Sequence, residues 1–212
     1  MFDFSLNNWA YYVYLAAGIV VSVTLHEWTK SFVSHKLGDV TAKNNSGLSL
    51  NPLKRLDPLG FIVMLFFRYG WGNPAHTSPV YYKNKKRGIV LAYTIPTLVN
   101  LFLGVLLINA AQAILFKAGG LESGAAGPAF DLTAAVAMCN IRLALINLIP
   151  VYPMDGSRVL SAFLSPRGVV KMANYEKILQ AGLVLFIVLG LAENLFRPVY
   201  YLITKMVLPI WS

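Results

Sequence analysis

The chain has 212 residues, 57% of them hydrophobic and only 13% charged, with a formal net charge of +9 and a positive mean hydropathy. That is too apolar for an ordinary water-soluble domain and points to a polytopic membrane protein. The surplus of lysine and arginine is then explained by topology and by anionic lipid headgroups, without a nucleic-acid partner.

From the N-terminus, MFDFSLNNW lacks the basic region of a secretory signal, and the apolar run after it carries His26 and Glu27. It is read as mature structure and not as a cleaved leader. Hydrophobic stretches then run from Tyr11 to about Leu37, Leu59 to Phe67, Ile89 to about Phe116, Leu132 to Pro150, Ile178 to Leu191 and Val199 to Ile210. The last two are short for spans of about 20 residues. No internal repeat or low-complexity tract interrupts them, and the single Cys139 excludes an intrachain disulfide. The expected fold is all-α: one integral-membrane domain over residues 1–212, with about five transmembrane helices and a short re-entrant or interfacial segment.

Charge orients the chain, because lysine and arginine gather in cytoplasmic loops. The connections 38–57 (Lys43, Lys54, Arg55) and 68–88 (Arg68, Lys83, Lys85, Lys86, Arg87) both read as inside. The short piece between them therefore cannot cross and is expected to re-enter or lie on the surface. The loop 117–131, with Glu122 and Asp131, reads as outside, and 157–177, with Arg158, Arg167, Lys171 and Lys177, as inside. This places His26-Glu27 and the segment PMDG, residues 153–156, at similar depth near the cytoplasmic side.

Ionisable groups within a span face a bundle interior or a water-filled cavity and have partners. In LHEWTK, residues 25–30, a spacing of four stacks His26 and Lys30 on one helix face, with Glu27 beside them. One reading is a zinc helix whose glutamate activates water. The other is a helix end where Lys30 snorkels to the headgroups and His26 and Glu27 make ordinary buried hydrogen bonds. In NLIPVYPMDGSRVL, residues 147–160, Asn147 and the prolines end a helix, and Asp155-Gly156 puts a carboxylate on a turn.

Together, LHEW and NLIPVYPMDGSRVL resemble the two signature motifs of the site-2 protease family, the intramembrane zinc metallopeptidases. KLGDVTAKNNSGLSLNPLKRLDPLG, residues 36–60, is similar to the connection after the first helix in compact bacterial members without a PDZ domain. GWGNP, the basic loop ending in KKRG, and Pro96 with Asn100 extend the likeness over most of residues 15–165; residues 178–210 would be additional hydrophobic segments. The resemblance implies that His26 matches the first zinc ligand, Glu27 the general base and Asp155 the third ligand, with Asn147, Pro150, Gly156 and Asn100 in support. It also implies a bacterial cytoplasmic-membrane location. Lys30 stands where the family has its second histidine, and Ile95 where relatives usually have glycine.

A lysine amine ligates metal only when deprotonated, and it lies outside the usual ligand set. His35, nine residues beyond His26, is on the wrong face, and His76 would need a fold-back to arrive. A protonated Lys30 between Glu27 and Asp155 would instead replace the family's cation electrostatically, with no cofactor. Two functions are therefore expected as alternatives. The first is a pseudoprotease that binds or scaffolds another membrane protein. The second is an active intramembrane protease holding Zn2+ in a non-standard site. A small transporter lacks the paired interrupted spans it would need. Asp57-Pro58 is expected to start a helix. Trp9, Tyr11, Tyr12 and Tyr14, and Tyr200, Tyr201 and Trp211, fit interfacial belts. Glu193 and Arg197, four apart, are expected to form a solvated pair. Arg142, inside a span, has no evident partner in the sequence.

Overall fold

A computed structural model describes residues 9–44, 48–117 and 127–207; the expectations for residues 1–8, Glu122 and Trp211 lie outside them. The first helix, α1 (Trp9–Lys36), buries Leu15, Gly18, Ile19, Ser22, Val23, His26, Glu27, Lys30, Ser31 and Ser34. These recur every three or four residues, so they form one stripe. Val13, Val21 and Phe32 point outward and are exposed. The arrangement inverts that of a soluble protein: the apolar face is outside and the polar stripe inside, as a bilayer solvent requires.

After the single turn α2 (Thr41–Asn44) comes α3 (Pro58–Phe67). Asp57 caps it as expected, its carboxylate accepting from the Gly60 N–H at 2.7 Å, with Pro58 in the first turn. Arg68 ends it in the left-handed region (φ 67°), its N–H donating to Met64 O. The chain then doubles back. Leu56 and Gly72 pair as an antiparallel bridge, and Asn73 N–H donates to Arg55 O at 2.7 Å. Entry and exit of this excursion are therefore side by side, the geometry of a re-entrant hairpin. Gly72 permits the closure, since a Cβ there would lie 2.5 Å from Val23 Cγ1 on α1.

α4 (Lys85–Lys117) and α5 (Gly127–Asn147) are, with α1, the helices among the described residues that are long and apolar enough to cross a membrane alone. On α4, Gly88, Ala92, Pro96, Asn100 and Gly104 are buried at a spacing of four, whereas Leu91, Leu98, Phe102 and Leu106 are exposed. Small residues let helix backbones approach closely where lipid supplies no hydrophobic drive between them. Asn100 Nδ2 ties the three together, donating to Ser22 O on α1 at 3.0 Å and to Asn140 Oδ1 on α5 at 3.1 Å.

The segment 157–177, read from sequence as a loop, instead holds α6 (Asp155–Ser161) and α7 (Pro166–Asn174). The two last hydrophobic stretches act as a pair: α8 (Glu176–Val188) and α9 (Leu191–Val207) bend by 65° at Gly190, whose φ of 73° stops α8. They count as one broken span or a re-entrant element. α9 packs inward through Phe196 and Tyr200. Tyr200, half-buried, bonds to the Tyr69 hydroxyl. Glu193 also turns to Tyr69, which donates to its Oε2 at 3.1 Å, and among the described residues it makes no ion pair with Arg197. The long-range partner outcompeted the local one.

Candidate functional site

Two elements build the site. α1 contributes His26, Glu27 and Lys30 from its buried stripe, and α6 contributes Asp155 as its first residue. Asp155 is thus a helix start, and the turn lies before it. Its placement has three local causes. α5 stops at Asn147, whose Nδ2 donates to Leu143 O at 2.9 Å. Asn147 Oδ1 accepts the Asp155 N–H at 3.2 Å, fixing the start of α6. Gly156 sits where a Cβ would lie 2.6 Å from the carbonyl oxygens of both Leu148 and Ile149, so no larger residue fits without backbone movement. Pro150 lies exposed in the turn between them.

The four side chains close on one another. Lys30 Nζ lies 2.7 Å from Asp155 Oδ1, and it donates to Glu27 Oε1 and Oε2 at 2.9 and 3.0 Å. His26 Nε2 lies 2.9 Å from Asp155 Oδ2. Glu27 Oε2 also accepts the Ala75 N–H at 2.7 Å, which pins the returning limb of the hairpin to α1. All four residues are at most 4% exposed. Burial alone would raise the Asp155 carboxyl, but the Lys30 ammonium and the His26 contact hold it below the ordinary carboxylate range. The Tyr93 ring of α4, its centroid 5.6 Å from Lys30 Nζ, completes the enclosure.

The other sequence candidates are placed differently. His35 Nδ1 faces Asp39 O at 3.3 Å, away from the site. His76 is exposed; it borders, with Asp155, a cavity of about 460 Å³ that Asn73, Ala75, Tyr93 and Arg158 also line. Ile95 is half-buried on α4. Asn100 acts as the three-helix tie described above. Arg142 is 8% exposed on α5 and hydrogen-bonds the Tyr200 hydroxyl, far along the chain from anything its neighbours could suggest. Ala75 and Tyr93 are further members of the site, brought in by backbone and ring groups that carry no motif.

The structure thus brings the His26-Glu27 pair of α1 against Asp155 of α6. Peptidase family M50 matches residues 58–190, and the chain belongs to that family. The matched region starts beyond α1, so it contains Asp155 but neither His26 nor Lys30. The chain is 34% identical over 181 residues to "Putative zinc metalloprotease YwhC" of Bacillus subtilis, covering 83% of this chain and 79% of that protein. It is 32% identical over 203 residues to "Putative zinc metalloprotease Rip2" of Mycobacterium tuberculosis, covering 90% and 73%. It is 27% identical over 186 residues to "Zinc metalloprotease MJ0392" of Methanocaldococcus jannaschii, covering 85% and 44%. No solved structure matches the chain.

The residues present do not fit the family's zinc. A tetrahedral site needs lone pairs from imidazole, thiolate or carboxylate. Here Asp155 spends one oxygen on His26 Nε2 and the other on Lys30, Glu27 is held by Lys30 and Ala75, and His26 offers only Nδ1, which is buried without a partner among the described residues. Among the described residues no three His, Cys, Asp or Glu side chains are arranged to hold a metal ion.

Proposed function

We propose that this protein is a pseudoprotease of the site-2 protease type: it keeps the scaffold, lacks hydrolytic chemistry, and binds or scaffolds another membrane protein. The observation that carries the reading is the position of Lys30 Nζ, within 3.0 Å of carboxylate oxygens of both Glu27 and Asp155. One ammonium between two buried carboxylates does the electrostatic work of a cation, because charges taken from water persist only when paired. It supplies no Lewis acid and no activated water. Glu27 is retained on this reading as a structural anchor for Lys30 and for the hairpin limb at Ala75. The 460 Å³ cavity beside the cluster is the surface offered to a partner, and the basic loops set it towards the cytoplasm of a bacterial membrane. The whole chain acts as one integral-membrane domain.

A second reading is favoured by the names of the relatives: an active zinc protease in which His26 and Asp155 hold the metal, Lys30 or water completes it, and Glu27 is the base. A reporter with one transmembrane segment, co-expressed with the protein, separates the two. The pseudoprotease leaves the reporter intact. Cleavage that disappears in Glu27→Gln would establish the protease.

A further inference from the structure

A second polar site lies at the other end of the bundle. Arg142 Nε is buried and has no hydrogen-bond partner among the described residues. The side chain lines a cavity of about 340 Å³ together with Tyr11, Tyr14, Leu15, Arg68 and Asp131. Leaving a buried guanidinium N–H unpaired costs about 1–3 kcal/mol, more for a charged group, so the position calls for an acceptor. Arg68, counted from sequence with the inside loop 68–88, instead caps α3 at the tip of the hairpin, beside Tyr11 and Leu15 at the other end of the bundle from Lys36, and supplies a second guanidinium exposed towards the same cavity.

Depth identifies what acceptor is at hand. On α1, Leu15 is 21 residues (36 minus 15) from the terminal Lys36, about 32 Å along the helix axis. Lys36 itself lines a cavity with Lys83 and Arg87, which marks the basic end of the bundle. A hydrocarbon core is about 30 Å thick. The cavity therefore lies at the headgroup level of the opposite leaflet, where phosphodiesters are the abundant acceptors. Guanidinium forks match phosphate oxygens in pairs. Asp131, about one turn from the start of α5, adds a carboxylate to the same cavity, and with Tyr11 and Tyr14 it suits a cation at the far end of the ligand.

We infer that this cavity is a phospholipid headgroup site, with the phosphodiester held by Arg142 and Arg68 and an ethanolamine ammonium facing Asp131. It is independent of the Lys30 cluster and of whether the protein cuts its partners.

The test is lipid binding to delipidated full-length protein in detergent, read by native mass spectrometry with short-chain phosphatidylethanolamine, phosphatidylglycerol and inorganic phosphate. Phosphatidylethanolamine is expected to bind one per chain and about tenfold more tightly than phosphatidylglycerol, and inorganic phosphate not to displace it. Arg142→Gln and Arg68→Gln should each weaken it about tenfold, and Asp131→Asn should erase the preference over phosphatidylglycerol. Should Arg142→Gln fail to fold, the exposed Arg68→Gln decides. Unchanged affinity in Arg68→Gln overturns the proposal, as does equal affinity for the two lipids. Displacement by phosphate would make this a free-anion site, and displacement by a transmembrane peptide carrying one glutamate would make it a protein-binding site; either overturns the lipid assignment.

Discussion

The two ends of the bundle treat buried charge in opposite ways. Around Lys30 the charges meet partners within the chain: one ammonium lies between two carboxylates and an imidazole contacts one of them, with His26 Nδ1 the buried polar atom of the four left without a partner among the described residues. Around Arg142 the pairing is incomplete, with one guanidinium nitrogen unmet and a cavity beside it. Paired charges hold the packing together, whereas a guanidinium with an open donor beside a cavity can take a ligand. On the proposed reading the Lys30 cluster is a structural element, and the Arg142 cavity is a separate ligand site.

Mutation tests the contrast in order of expected size. Lys30→Met strands Glu27 and Asp155 as buried, uncompensated carboxylates and should cost about 3–5 kcal/mol in thermal unfolding in detergent. Arg142→Met removes a charge that is only partly satisfied, and in lipid-free detergent should cost under about 1 kcal/mol or stabilise. Equal losses in the two variants would break the comparison. Glu27→Ala takes the second carboxylate from Lys30 and the acceptor from Ala75 N–H, for about 2–3 kcal/mol. A neutral Glu27→Ala would leave the retained glutamate without an explanation.

The sequence disclosed some of this because certain residues speak for themselves in a membrane. Three long apolar runs, an Asp-Pro helix start, basic loops on both sides of a short hydrophobic piece, and His26 with Asp155 in family-like motifs were enough to place the long helices and the hairpin and to expect His26 and Asp155 at one level, where the structure brings them into contact. Lys30 was expected to have partners because a charge buried in a span needs them, and it meets Glu27 and Asp155. The remainder depended on contacts between distant segments. Asn140 meets Asn100 from 40 residues away, Ala75 reaches Glu27 with a backbone N–H, and Tyr69 takes Glu193 from the neighbour its spacing suggested. The 65° bend at Gly190 turned two apparent spans into one broken pair. Periodicity reports faces, and it does not report which face meets which.

A smaller effect is expected outside the membrane-spanning helices. Asp39 is buried after α1 and receives Ser34 Oγ–H at 2.8 Å, Ser78 N–H at 2.6 Å and Thr41 N–H at 2.9 Å. Burial would raise its carboxyl, but these donors hold it below the ordinary value of 3.8. A carboxyl depressed in the folded state stabilises fully above its unfolded value and loses that contribution as pH falls through the folded one. Thermal stability should therefore decline below about pH 4, by about 1–2 kcal/mol from this group, and Asp39→Asn should flatten that acid limb. An unchanged limb would remove Asp39 as its cause.

The central claim is that an ammonium has taken the metal's place, and its most direct test is the zinc content of the purified protein beside that of Lys30→His. The account predicts no bound zinc in the unaltered chain and about one ion per chain once the variant restores His-Glu-x-x-His. One zinc per unaltered chain, lost on changing His26 or Asp155, would contradict it.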